Sequence, residues 1–373
     1  MSRLVRNPFY LLVALLHVYI GVRLLAPVAP WAQVLGAVVL AACFHWSPKG
    51  WRIREGRKPW SVWLPWVTVG FFSWLLVLTV ARDAALLCAF LLLHPEDLAA
   101  WSRDSAYGVM ALAPVVTLLG FLIARRVGRV RHVEIPIRGL PDELHGFTIA
   151  QISDIHVGPT IKRDFVERIV ARVNQMQSDM VAITGDVVDG HVRDLSHHTA
   201  PLADLESRHG TYVVTGNHEY YSGVHGWVRE LRRLGARVLL NEHVVLEHDG
   251  ASIAVAGVTD YSAHYFDESH RSDPHGALAG APQDVVKVLL AHQPRSARHA
   301  ARAGAHVQLS GHTHGGQFWP WNFFVRFQQP FTSGLHRVDE MWVYVNRGTG
   351  YWGPPMRFGV PPEITRIRLV RGN

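Results

Sequence analysis

The chain has 373 residues, enough for about two domains, and a formal net charge of +7. Residues 1–131 hold 14 Lys and Arg against 5 Asp and Glu, a net of +9, while the remainder holds 23 against 25, a net of −2. That division excludes reading the basic balance as a nucleic-acid footprint, because the half with the polar chemistry is slightly acidic. The two cysteines, Cys43 and Cys88, lie inside apolar runs, which excludes a disulfide framework and a cysteine zinc site and leaves small hydrophobes.

Four apolar stretches come first, at 9–25, 27–46, 62–80 and 107–124. Each approaches the roughly 20 residues that a bilayer core requires, so an all-α transmembrane region of about four helices is expected over 1–131. A signal peptide is the alternative for the first stretch, but no small-residue cleavage site stands out and three more apolar segments follow. Basic residues cluster at Arg3 and Arg6, at Lys49, Arg52, Arg54, Arg57 and Lys58, and at Arg125, Arg126, Arg129 and Arg131, with few in the intervening connections. By the positive-inside rule all three clusters face the cytoplasm, giving a multi-pass protein of the cell (inner) membrane with its C-terminal domain inside. The apolar piece at 84–93 follows Arg82 and Asp83 and is too short to span alone; it reads as re-entrant or interfacial, and a crossing there would reverse the facing.

From Val133 the pattern becomes that of an α/β protein, with short β-rich runs alternating with helical ones, so 132–373 is expected to form one catalytic domain. Strands are expected at "FTIAQIS", "DMVAIT", "GTYVVT", "ASIAVAGV", "VVKVLLA" and "HVQLS", and helices at "RDFVERIVARVNQM" and at "HGWVRELRRLG", the latter closed by Gly235. The strand ends carry the chemistry. "SDIHVG" brings Asp154 and His156, "TGDVVDG" Asp186, "TGNHEYY" Asn217, His218 and Glu219, "LLAHQP" His292, and "LSGHTHGG" His312 and His314. On an extended chain, residues two apart share a face, which pairs Asp154 with His156 and His312 with His314.

Each motif alone is commonplace, since Asp-Gly pairs suit turns and a strand-end His is usually structural. Five strand ends in succession, each with a metal-capable side chain, predict one converging site, because ligands of open α/β sheets gather at the carboxyl ends of strands. Asp, Asn and His without Cys suit Mn²⁺, Fe²⁺ or Zn²⁺. Seven ligands are too many for one tetrahedral ion with an open position, and two ions sharing a carboxylate fit better. Glycines beside the ligands are expected to let backbone approach a substrate or metal closely.

At this point the residues resemble the calcineurin-like metallophosphoesterases, whose pattern D-x-H, GD, GNH(D/E), H and GHxH is present in full. "GNHEYYSG", "LLAHQPR", "LSGHTHGGQ", "GLHR" and "RGTGYWGPPMR" further resemble the membrane-linked or exported bacterial subgroup called YkuE-like or YaeI-like, over about 145–369. The resemblance implies a four-layer αββα sandwich of two mixed sheets. It implies one metal on Asp154, His156 and His314, another on Asn217, His292 and His312, and Asp186 bridging them. It also implies in-line attack on phosphorus by a metal-bridging hydroxide, with His218 as proton donor.

Glu219 reads first as an N-terminal helix residue, with orientation of His218 as the alternative. Tyr220, Gln317, Arg347 and Arg357 are the candidate substrate-binding residues, arginine suiting phosphate through its bidentate fork; Asp189, Tyr221 and His336 are further pocket candidates. The aromatic stretch 317–331 reads as core, substrate wall or membrane-facing surface. The function expected is that of a membrane-anchored phosphodiesterase or pyrophosphatase using two divalent ions, with the lipid bilayer as partner, a lipid-linked phosphoester as the refined substrate and no nucleic acid. A nuclease of the same superfamily and a catalytically silent membrane metal sensor or scaffold are the alternatives.

Overall fold

The computed structural model describes residues 8–52, 58–92 and 94–372. It divides the chain into two units, one holding the chain up to Leu122 together with Gly353–Phe358, the other holding Ile123–Trp352 and Gly359–Asn373.

The first unit is built on α1 (Pro8–Leu25), α2 (Pro30–Trp46), α3 (Pro59–Phe90) and α4 (Pro95–Ala124). Proline opens α2 and α3, where its fixed φ suits the first turn and its missing N–H is no loss. Among the described residues, three helices are long and apolar enough to cross a membrane: Pro8–Leu25, Trp60–Phe90 and Glu96–Ala124. The remaining helix, α2, has 17 residues; at 1.5 Å per residue it reaches about 26 Å, just short of the ~30 Å hydrocarbon core. Leu15, Val18, Val22, Val38, Leu87 and Leu118 are all exposed, apolar side chains suited to lipid rather than water.

The stretch 84–93 is corrected by this structure. Its residues up to Phe90 are the last turns of α3, a single helix of 32 residues, rather than a separate re-entrant piece. The charges that suggested an interruption are absorbed by neighbouring helices. Arg82 donates to Ser105 Oγ at 2.9 Å and to Ser102 O at 2.7 Å, while Asp83 accepts from Tyr19 Oη at 2.7 Å and Arg23 Nε at 2.8 Å. Of the basic clusters used for orientation, Arg3, Arg6, Arg54 and Arg57 lie outside the described residues. The segment Gly353–Phe358 joins this unit: Arg357 N–H donates to Gly120 O at 3.1 Å, and the Phe358 ring meets Trp74 edge-on at 5.4 Å.

The second unit is a four-layer sandwich. One sheet runs β1 (Arg129–Arg138), β12 (Glu363–Gly372), β2 (Thr148–Ile152), β3 (Met180–Ile183), β4 (Thr211–Val213) and β5 (Arg237–Val238). The other runs β10 (Gly334–Val338), β11 (Met341–Val345), β9 (Val307–Ser310), β8 (Val286–Leu290), β7 (Ala251–Gly257) and β6 (Glu242–His248). Both are mixed: β2, β3 and β4 are mutually parallel but β12 is antiparallel to β2, and β7, β8 and β9 are parallel but β6 is antiparallel to β7.

Ile149, Met180 and Val214 of the first sheet form one core with Ile253, Val288 and Leu309 of the second, which is the inner interface. The outer face of the first sheet is covered by α5 (Arg163–Asn174), α6 (Val192–Thr199) and α8 (Val224–Arg233). On α5, Phe165, Val166, Ile169, Val170 and Val173 recur at helical spacing and are all buried, while Asp164, Glu167, Arg168 and Arg172 stay outside. The outer face of the second sheet packs on α9 (Pro274–Leu278) and α10 (Ala297–Arg302) through Ala277, Leu278, Ala297 and Ala300.

Candidate metal centre

The strands β2, β3, β4, β8 and β9 stop just before the predicted ligands. Asp154 and His156 follow β2, Asp186 follows β3, and Asn217 opens the short helix α7 (Asn217–Tyr221) after β4. His292 follows β8, and His312 and His314 follow β9. The expectation that the D-x-H and H-x-H pairs share one face of an extended chain does not hold. β2 ends at Ile152 and β9 at Ser310, and Asp154 (φ 53°), His156 (55°), Asp186 (52°), His312 (69°) and His314 (50°) all sit in left-handed backbone. A non-glycine residue there costs about 1–3 kcal/mol and persists only where surrounding bonds over-determine it.

Those bonds lash the loops to one another. Asp154 N–H donates to Gly185 O at 3.0 Å, His156 N–H to Asp186 O at 3.1 Å, and Gly311 N–H to His292 O at 2.9 Å. His312 N–H donates to both oxygens of Asp154 at 2.9 and 3.0 Å, and His218 N–H to Asp186 Oδ1 at 2.8 Å. Glycine serves this lashing: a Cβ on Gly216 would strike Asp186 Oδ1, and one on Gly311 would strike Ser153 Oγ and Asp154 Oδ2.

The side chains assemble into two groups. Ligand atoms of Asp154, His156 and His314 lie within 4.8 Å of one another, and so do those of Asp186, His292 and His312. In the first group His156 Nε2 and His314 Nε2 are 2.9 Å apart. In the second, His292 Nε2 is 3.1 Å from Asp186 Oδ2 and 3.2 Å from His312 Nδ1. Asp186 Oδ2 also lies 3.8 Å from His156 Nε2, so a single carboxylate oxygen faces both groups.

Divalent ions fit this donor set. Asn217 Oδ1 is buried and has no hydrogen-bond partner, a cost of about 1–3 kcal/mol unless a cation takes the lone pairs. His292 Nδ1 is tied to Thr184 O at 2.7 Å and His156 Nδ1 to Asp189 Oδ1 at 2.8 Å, which leaves each Nε2 turned to the centre, as outer partners of metal-bound imidazoles do. Burial, reinforced by the neighbouring His292, pulls His312 down to about 3, its neutral ligand form. Burial pushes the Asp186 carboxyl up, but His292 and His218 beside it hold it well below the usual carboxylate range.

Two residues read weakly in the sequence take clear structural parts. Asp189 Oδ1 accepts from His156 Nδ1 at 2.8 Å and from His218 Nδ1 at 2.6 Å, so one carboxylate orients a candidate ligand and the candidate proton donor. Burial raises its carboxyl, yet the two imidazoles outweigh that and hold it at about 2. Burial likewise lowers His218, but Asp186 and Asp189 raise it to about 9, and its Nε2 faces Asp186 Oδ2 at 3.9 Å.

Glu219 is a helix N-terminal residue and more. Its carboxylate accepts from Gly216 N at 2.7 Å, Asp186 N at 2.9 Å, Val187 N at 2.8 Å and Val188 N at 3.3 Å, fastening the Asp186 loop to α7. Burial and the Asp186 charge push its carboxyl up, to about 7. Four N–H donors converging on both oxygens leave no acceptor for a carboxyl proton, so the geometry is that of the carboxylate. Glu219→Ala strands these donors and is expected to cost about 3–5 kcal/mol, read as a fall of about 10 °C in the melting of the full chain in detergent. An unchanged melting temperature would remove this role. Asp260, at the end of β7, was not singled out by sequence; it is fully buried and accepts from Gln293 Nε2 at 3.0 Å, steadying the residue after His292.

The candidate substrate residues are dispersed. Arg347 packs its Cγ near Gly315, beside His314, and has Glu363 at 3.8 Å. Gln317 uses both amide atoms on the backbone of Trp352, at 2.7 and 2.9 Å, and the Trp352 ring lies 5.8 Å from that of His218. Tyr220 is buried in the core, with its hydroxyl 2.8 Å from His270 Nδ1. Arg357 is fully buried in the helical unit. Tyr221 is exposed with its ring 5.1 Å from His218, whereas His336 stacks on Phe331.

Comparison with known proteins agrees with this geometry. The model of the calcineurin-like phosphoesterase family matches residues 147–316. A "Transmembrane protein with metallophosphoesterase domain" of Danio rerio is 38% identical over 282 residues, 74% of this chain and 64% of that protein's length. An uncharacterized metallophosphoesterase of Helicobacter pylori is 37% identical over 280 residues, 73% of each chain. The Bacillus subtilis metallophosphoesterase YkuE is 28% identical over 243 residues, 63% of this chain and 82% of that one. With its strand-end residues and two-sheet sandwich, the chain belongs to the calcineurin-like metallophosphoesterase family.

Proposed function

We propose that the protein is a membrane-anchored phosphodiesterase or pyrophosphatase that works with two divalent ions. The observation that carries this is Asp186 Oδ2, set 3.1 Å from His292 Nε2 and 3.8 Å from His156 Nε2, where one oxygen would serve both ions. Asp154, His156 and His314 would hold one ion, and Asn217, His292 and His312 the other. When bound, the ions supply charge neutralisation at the phosphoryl oxygens and a water of lowered pKa. With its Nδ1–H taken by Asp189, His218 would hold a proton on Nε2 for the leaving oxygen.

A lipid-linked substrate is favoured by the rim of the site. Tyr221 and Trp352 are exposed aromatics whose rings lie against His218, and the exposed Phe266 packs on Tyr221. Burying two methylenes of such a substrate contributes about 1.6 kcal/mol, more than tenfold in kcat/KM. The Mn²⁺- or Zn²⁺-loaded full chain in detergent is therefore expected to hydrolyse an aryl phosphodiester, and to prefer a diacyl phosphodiester at least tenfold over its deacylated headgroup. Equal rates on the last two would sink the lipid-linked reading while leaving the hydrolase reading intact.

Four crossings would place the sandwich in the cytoplasm, on the side of Arg125, Arg126, Arg129 and Arg131. Protease added to intact spheroplasts should leave that unit whole, and its digestion there would overturn the assignment.

A further inference from the structure

Outside the centre described above, a second set of nitrogen and oxygen donors lies where α8 meets the segment between β7 and α9. Ligand atoms of His225, Asp267 and His270 lie within 4.8 Å of one another. His225 sits in the first turn of α8, while Asp267 caps and His270 closes a short 3-10 turn, Glu268–His270. His225 Nε2 is 3.1 Å from Asp267 Oδ2, and His270 Nε2 is 4.0 Å from the same oxygen. We propose that His225, Asp267 and His270 form a further divalent transition-metal site, separate from the catalytic centre, that takes Zn²⁺ or a similar imidazole-seeking ion.

The outer partners of Asp267 and His270 leave one atom of each turned to the cluster. Asp267 spends Oδ1 on Ser269, accepting from its backbone N at 3.0 Å and its hydroxyl at 2.6 Å, so Oδ2 is turned to the two imidazoles. His270 Nδ1 lies 2.8 Å from Tyr220 Oη, which in turn lies 3.4 Å from Thr215 Oγ1. With Nδ1–H donating to the phenol oxygen, Nε2 of His270 is the bare nitrogen, the arrangement that fixes the tautomer of metal-bound histidines. Two imidazoles and one carboxylate are the donor set that suits Zn²⁺, Ni²⁺ or Co²⁺. A tetrahedral ion with bonds of about 2.0–2.1 Å spaces its ligands about 3.3 Å apart, so the 3.1 Å pair is already placed and the 4.0 Å pair has under about 1 Å to close. The His225 side chain is 64% exposed, which leaves room for water in the remaining coordination position.

The position gives the ion a consequence. The segment that carries Asp267 also carries Phe266, whose ring packs on Tyr220 at 6.0 Å and on Tyr221 at 5.4 Å. Tyr221 lies against His218. An ion bridging this segment to α8 therefore pins one wall of the rim around His218 without touching the reacting atoms. At free Zn²⁺ ten times its Kd, mass action lowers opening of the segment about elevenfold.

The test uses the full chain in detergent, equilibrated with Zn²⁺ alone. His225 is exposed, so His225→Ala is expected to fold as wild type does. Bound Zn²⁺ per chain should fall by one in this variant. Zn²⁺ should slow tryptic cleavage after Arg271 about tenfold in the wild type and not in the variant. Asp267→Asn, which keeps the Ser269 contacts, should behave as His225→Ala does. Equal Zn²⁺ content in wild type and His225→Ala would overturn the site, and so would equal Zn²⁺ protection of Arg271 in both.

Discussion

Replacing Asp186 with Asn is expected to lower turnover of an aryl phosphodiester by at least ~10³-fold and to remove at least one bound metal ion per chain. The amide matches the carboxylate in shape, and its oxygen can still accept the His218 N–H that Asp186 Oδ1 now takes at 2.8 Å. What changes is Oδ2, the atom between His292 Nε2 at 3.1 Å and His156 Nε2 at 3.8 Å. Losing the charge there would remove the ligand that the two groups are proposed to share. A loss of about 4 kcal/mol of transition-state stabilisation, within the several kcal/mol a metal supplies, corresponds to that factor. Metal analysis and steady-state kinetics read the two effects together. A variant that kept its metal and stayed within tenfold of wild-type turnover would remove Asp186 from the bridging position.

Asp189→Asn is expected to reduce kcat/KM by about 10²-fold through a different route. Its Oδ1 accepts from both His156 and His218, so the variant loosens a candidate ligand and a candidate acid at once. An outer partner of a metal-bound histidine is worth about 10–100-fold, and a general acid about 10²–10⁴-fold. The pH profile separates this role from simple damage. His218 stands at about 9 because Asp186 and Asp189 together outweigh its burial. An acid must be protonated to act, so activity falls as pH rises through that pKa. With Asp189 neutralised the pKa drops, and the alkaline limb of the profile should move to lower pH. His218→Ala should abolish that limb altogether. An alkaline limb that stays in place in Asp189→Asn would show that Asp189 does not tune His218.

Much of this was legible along the chain because the relevant signals are local. The buried strands β2, β3, β4, β8 and β9 are short apolar runs, each followed by a metal-capable side chain, and it is their succession that marks a site. The helix α5 could be read from its spacing, and its apolar positions Phe165, Val166, Ile169, Val170 and Val173 are the buried ones. Other strands were not separated by the same reading. β1 and β12 pair in parallel over ten residues, although 224 residues of chain lie between Arg138 and Glu363, and no local pattern reports such a partner. The end of α3 was misjudged because Arg82 and Asp83 look like a helix boundary in one dimension. Ser102 and Ser105 of α4, with Tyr19 and Arg23 of α1, supply the partners that let the helix continue.

The order of motifs, the absence of cysteine ligands and the chemical type of every donor were set by residue identity alone, since side-chain chemistry does not depend on the fold. The tertiary structure decided the grouping. His312 and His314, two residues apart, go to different neighbours, His292 and His156, because left-handed backbone turns each ring its own way and bonds from loops far away in sequence hold it there. It also decided the tasks of Glu219 and Asp189. Their partners are backbone N–H groups and imidazoles roughly 30 residues away, brought within hydrogen-bond reach only when β2, β3 and β4 align. Left-handed strain at five candidate ligands runs against local preference, and the interlocked loops at the sheet edge are what offset it.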